Sequence, residues 1–164
     1  MEDVIPMPNT LTDSYQLVKT STLEVNFIQN LLHNVIVGNK DGFSLELFRN
    51  GSYVRSIRTP TDTTAAHKGD TLLAVNLGII TVPLTDKVRT ADEDDYVIAY
   101  DATVRLMVRD SHRFAIGYVQ GIDPLQKTVD VILAVLKRSI AQSQHDAVSE
   151  EGLRKVVKNN TGTV

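Results

Sequence analysis

No cysteine occurs anywhere in the 164 residues. Disulfides, thiolate nucleophiles and cysteine-ligated zinc or iron–sulfur centres are therefore excluded, and the absence fits a reducing compartment. Tryptophan is also missing, and aromatics make up only 5%, so any core must be built from Val, Leu and Ile. No stretch reaches the roughly 18–20 apolar residues that span a bilayer as a helix. The opening MEDVIPMPNT is acidic and broken by prolines, which is not the pattern of a signal peptide. Clustered basic charge is lacking too. The net charge is −3, which argues against a nucleic-acid binder and against simple electrostatic adsorption to anionic lipid. These readings together favour a cytoplasmic location, where the Asn50 and Asn159 N-x-S/T matches carry no glycosylation meaning.

Hydrophobic residues make up 42% of the chain, enough for a proper core, and the length suits one domain. Residues 1–33 read as an N-terminal arm and an amphipathic helix. Pro6 and Pro8 block regular structure at the start. From Tyr15 to His33 the pattern turns helical, because Leu23, Phe27, Leu31 and Val35 fall four apart. Leu23, Phe27 and Leu31 are the candidate membrane or partner face. Residues 34–158 read as a single domain, and 159–164 as a tail.

Within that domain, Asn34 to Gly38 predicts a strand. Phe43, Leu45 and Leu47 alternate with Ser44 and Glu46, and Asn50-Gly51 follows, a strong hairpin signal because both residues tolerate positive φ. The return strand, Ser52 to Arg58, sets Tyr53, Arg55 and Ile57 on one side and Val54 on the other. Thr59 to Asp70 reads as an exposed polar loop. LLAVNLGIITVPL is interrupted at Asn76 and Gly78, so it predicts a bulge or two short strands, ended or placed at an edge by Pro83. An acidic turn, Asp92 to Asp95, then leads into the cleanest alternation of the chain. Tyr96, Ile98, Tyr100, Ala102, Val104, Leu106 and Val108 share its apolar face. The last third is helical. Asp110 or Ser111 caps one helix, which Gly121 stops. Asp123-Pro124 opens a longer helix, with Gln126 completing a capping box. A weaker helix spans Ser149 to Lys158. Strands followed by helices make an α+β signature: an antiparallel β-rich first half, then a strand and packed helices.

The chemical inventory is thin. The Asp92–Asp95 carboxylates are the one oxygen-ligand cluster for calcium or magnesium, but their spacing is not that of an EF-hand, and a solvated turn is the favoured reading. His33, His67, His112 and His145 show no metal-ligand spacing. Asp110-Ser111-His112 contains the letters of a hydrolase triad, but sequence neighbours point in different directions, and there is no G-x-S-x-G elbow. Arg105, Arg109, Arg113, Lys137 and Arg138 read as solvated surface. No cofactor, metal or catalytic residue is assigned, and the chain is expected not to be an enzyme.

Residues 86–154 resemble the SPFH or band 7 domain of the stomatin, prohibitin, flotillin and HflK/C proteins. The matching features are Val88-Arg89-Thr90-Ala91-Asp92, the long strand to Val108, Asp110 with Phe114 four residues on, and Leu136-Lys137-Arg138-Ser139-Ile140 in the long helix. The hairpin at Asn50-Gly51 suits the β-rich first half of such a domain. Family members usually carry a membrane hairpin, a transmembrane helix or acylation sites, and continue into a coiled coil. This chain shows no spanning helix, no cysteine to acylate and no heptads. The resemblance implies a non-catalytic scaffold or assembly protein acting by self-association or partner binding, with peripheral membrane contact and no nucleic acid. The competing reading is a divalent-metal-dependent binding protein or enzyme using the Asp92–Asp95 turn.

Overall fold

A computed structural model of the chain describes residues 4–5, 17–19, 25–59 and 61–161. The fold is α+β, with antiparallel sheets in the first half followed by three helices. Two compact units make it up. The first holds residues up to Ile80 together with Leu106–Ile122; the second holds Thr81–Arg105 and the chain from Asp123 onward.

In the first unit, strands β2 (Leu17–Lys19), β3 (Asn26–Ile28), β8 (Thr71–Asn76), β5 (Phe43–Arg49) and β6 (Ser52–Ile57) form one sheet in that spatial order. Strands β1 (Val4–Ile5), β4 (Val35–Gly38) and β7 (Thr63–Ala66) form a second, in which β1 runs parallel to β4. Side chains of both sheets meet in one cluster, among them Ile28, Val35, Val37, Leu45, Leu47, Ile57, Ala66 and Leu72. The β5–β6 hairpin turns through Asn50 (φ 51°) and Gly51 (φ 77°), the left-handed pair that the Asn-Gly dipeptide predicts.

The opposite face of β5 is covered as well. Helix α1 (Ser111–Val119) lies against β5 and β8. Asp110 caps it by accepting from the Arg113 N–H. Beyond its end Gly121 adopts φ 87°, and the Gly121 and Ile122 N–H groups donate to the Tyr118 and Gly117 carbonyls, the hydrogen-bond pair of a Schellman stop.

The second unit contains strands β9 (Ile80–Arg89) and β10 (Val97–Leu106) and helices α2 (Pro124–Ala141) and α3 (Glu150–Thr161). β9 and β10 form a two-stranded sheet. The connection between them is too short for a parallel crossover, so the pair is antiparallel. Asp123 caps α2 by accepting from the Leu125 and Gln126 N–H groups. Gln126 does not complete a capping box, because its side chain donates to Asp130 instead. Leu125, Val129, Ile132, Leu136 and Ile140 make the buried stripe of α2, and α3 packs against α2.

Two further expectations are overturned. The helix over Tyr15 to His33 does not form where the chain is described: Leu17–Lys19 and Asn26–Ile28 are paired strands. Asn30, at φ 55°, could not sit inside a right-handed helix, and pairing of β3 with β8 consumes the backbone groups that a helix would need. Thr59 to Asp70 is not simply an exposed loop, since β7 within it pairs with β4 and both Ala66 and Asp70 are buried.

Candidate functional site

The β9–β10 ribbon is the sheet of the second unit. β10 alternates as its sequence dictates. Ile98, Tyr100, Ala102 and Val104 are half-buried, while Val97, Ala99, Asp101, Thr103 and Arg105 are exposed. Among the described strands, β10 has β9 as its one neighbour, so its second edge carries a row of backbone groups without a strand partner. Val97 is 55% exposed and Tyr96 is 42% exposed, an apolar start to that edge. β9 differs, because Pro83 supplies no N–H and spoils it as a docking edge. Thr85, Asp86, Lys87, Ala99 and Tyr100 line a shallow depression of about 410 Å³ on the ribbon. The Tyr100 hydroxyl is buried without a hydrogen-bond partner, and burial, then the nearby Asp86 charge, pushes its pKa up.

The turn between the strands is fastened to the chain beyond α2. Asp92 Oδ1 lies 2.8 Å from His145 Nδ1, and Oδ2 accepts the His145 backbone N–H at 2.8 Å. The Thr90 hydroxyl also donates to Oδ2. The Ala91 N–H donates to the Ser143 carbonyl at 2.9 Å. The Tyr96 ring stacks on the His145 ring at 3.9 Å, with 12° between the planes. The Thr90 hydroxyl, followed by the contacts from His145, holds the Asp92 carboxyl down at about 2. Asp92 in turn raises the His145 imidazole above its ordinary value. A carboxylate fixing one ring nitrogen is how a base is oriented in many hydrolases, but here it joins two chain segments.

The acidic turn therefore does not act as one cluster. Asp92 is committed to Thr90 and His145, while Glu93, Asp94 and Asp95 face solvent. Asp95 approaches Arg89 at 3.4 Å with both side chains largely exposed, a contact of small energetic weight. Among the described residues no three His, Asp or Glu side chains are grouped to hold a metal ion. The candidate face Leu23, Phe27, Leu31 also separates. Leu23 lies outside the described residues. Phe27 sits in β3 with its ring edge-on to Tyr118 at 5.8 Å. Leu31 is 1% exposed and belongs to the core cluster, so it has no surface to offer a membrane or partner.

The triad letters part company too. Ser111 is buried and donates to the Ser44 hydroxyl at 3.2 Å. His112 is half-buried, and its ring lies 4.0 Å from the Tyr53 ring, tilted by 30°.

That contact leads to a group the sequence reading passed over. Glu46 is fully buried in the middle of β5. Its Oε1 accepts from Ser44 at 2.6 Å and Ser56 at 3.0 Å, and its Oε2 accepts from Tyr53 at 3.0 Å. Burial, then the Glu46 charge, pushes the Tyr53 phenol up to about 12. A β-bulge creates the arrangement. The β5–β6 register shifts between Leu47 and Phe48, which pair with Arg55 and Tyr53 respectively. Val54 is the extra residue, and Tyr53 swings from the expected Arg55 side to the Glu46 side. The available signal was the run of hydroxyl residues Ser44, Ser52, Tyr53, Ser56 around one acid in a predicted hairpin.

No protein-family model matches the chain, and no curated protein matches it. No described helix is long and apolar enough to cross a membrane.

Proposed function

We propose that the chain is a non-catalytic assembly module of the SPFH or band 7 type, working in the cytoplasm at or near a membrane surface through self-association or a partner protein. The observation that carries this reading is the edge of β10 with which none of the described strands pairs, and which has exposed apolar residues at its start. The residues behind the resemblance support it by the jobs they do. Val88 is a buried strand residue, Asp110 a helix cap, Phe114 a buried helix residue, and Leu136 and Ile140 part of the α2 stripe. Such a signature describes a scaffold, and its outward surfaces are left for binding. The competing metal-dependent reading loses ground because Asp92 already spends its oxygens on Thr90 and His145.

Light scattering on the purified chain over a wide concentration range tests the proposal. Mass should rise with concentration toward a defined assembly. A chain that stays monomeric, and whose melting temperature instead climbs with added calcium or magnesium, would reverse the preference between the two readings.

A further inference from the structure

The assembly reading can be taken to one surface and one partner, and this step rests on that reading. We propose that two copies of the chain pair through β10, antiparallel about Thr103, so that their ribbons merge into a four-stranded sheet.

The edge itself is suitable. β10 runs from Val97 to Leu106 without proline, so its backbone can donate and accept along the whole length. An antiparallel pair of identical strands is isologous: each contact occurs twice about a two-fold axis. Register is then set by what the axis brings together. On the exposed face, Asp101 and Arg105 flank Thr103 at equal spacing. A two-fold axis through Thr103 sets Asp101 opposite the partner's Arg105, and Arg105 opposite the partner's Asp101. On the other face it sets Tyr100 opposite the partner's Leu106, and Ala102 opposite the partner's Val104, apolar against apolar.

Other registers do worse. An axis through Asp101 places that carboxylate against its own copy, and an axis through Arg105 does the same for the guanidinium. An axis through Ala102 leaves Arg105 facing the partner's Ala99. Parallel pairing in register stacks like on like throughout. Opposite charges across strands favour pairing, and like charges directly opposite disfavour it, so the pattern Asp101, Thr103, Arg105 is complementary to itself about one point. The same three residues are exposed, so changing them should leave the fold intact.

The chain contains no cysteine, which makes the register directly readable. Thr103→Cys should form a covalent dimer under mild oxidation, reversed by reductant, because residue 103 alone meets its own copy at a separation a disulfide can bridge. Asp101→Cys and Arg105→Cys, each facing a different residue, should cross-link far more slowly. In sedimentation, Arg105→Asp or Asp101→Arg should weaken the dimer about fivefold to tenfold, and the double exchange should restore it. Circular dichroism on each variant confirms that it folds. If the chain assembles but Thr103→Cys fails to cross-link and the charge exchanges change nothing, the β10 pairing is wrong while the assembly reading stands. If the chain is monomeric in every form, both the pairing and self-association fall.

Discussion

Asp92 holds His145 twice, through the imidazole Nδ1 and through the backbone N–H, each at 2.8 Å. The two side chains have opposite pH limits. His145 carries a raised folded pKa. Its contribution is therefore complete below the ordinary value of 6.5 and is lost as pH rises through the folded value. Asp92 is lowered from 3.8 to about 2. Its contribution is present above the ordinary value and is lost as pH falls through about 2. The charged pair is thus complete between these limits. The melting-temperature gap between the wild-type chain and His145→Gln should be widest near about pH 5 and should shrink as pH rises through the raised folded value of His145. A gap that stays constant with pH would mean that the ring acts by stacking on Tyr96 alone.

Glu46 serves three hydroxyl donors, Ser44, Ser56 and Tyr53, in a fully buried position. Glu46→Ala should lower the unfolding free energy by about 3 kcal/mol, because it opens a cavity and strands the donors together. Glu46→Gln should cost about 1 kcal/mol, since the amide keeps one acceptor and the Tyr53 hydroxyl can accept from the new amide N–H. Urea denaturation of both variants checks this. Equal losses would show that the carboxylate's acceptor pattern, and not the volume of the side chain, carries its contribution.

Arg49 grips the buried Asp70 in a two-point contact, Nε to Oδ1 at 3.0 Å and Nη2 to Oδ2 at 2.9 Å. Burial works to raise the Asp70 pKa, but the Arg49 hydrogen bonds, the His67 N–H and the Arg49 charge together bring it below its ordinary value. Arg49→Met should destabilise the chain, because it leaves the buried Asp70 carboxylate without its partner. The loss should be smaller than for a fully buried pair, because the Arg49 side chain is 37% exposed. Arg49→Lys, which loses the fork geometry, should recover only part of the loss in a thermal melt. Full recovery would show that charge alone suffices.

Leu31 distinguishes a core from a docking face. At 1% exposure, Leu31→Ala should destabilise by about 3 kcal/mol and leave flotation with anionic vesicles unchanged. Reduced flotation with unaltered stability would return Leu31 to the surface.

The elements that came through from sequence are those whose causes are local. Asp123-Pro124 starts α2 because a cap and a proline need only their own backbone. Asn50-Gly51 turns the hairpin for the same reason. The β10 alternation survives because one face of the ribbon is half-buried and the other is wet. The misreading of Tyr15 to His33 shows the limit. Leucines and a phenylalanine four apart fit a helix by periodicity, but β3 gains its partners from β8, far along the chain. Likewise, Ser44 and Glu46 looked like the wet side of a hairpin until α1 was seen to lie over them.

By itself the sequence determined the α+β class, the caps and turns, the helices α1 and α2, and the self-complementary order of charges along β10. Each depends on contacts within a few residues, where steric and hydrogen-bonding preferences decide. Only the tertiary structure decided that Asp92 meets His145, that Val54 bulges and turns Tyr53 toward Glu46, and that Leu31 is core. Those outcomes depend on which distant segments share a surface. Local propensity is weak beside the burial and pairing that long-range contacts supply.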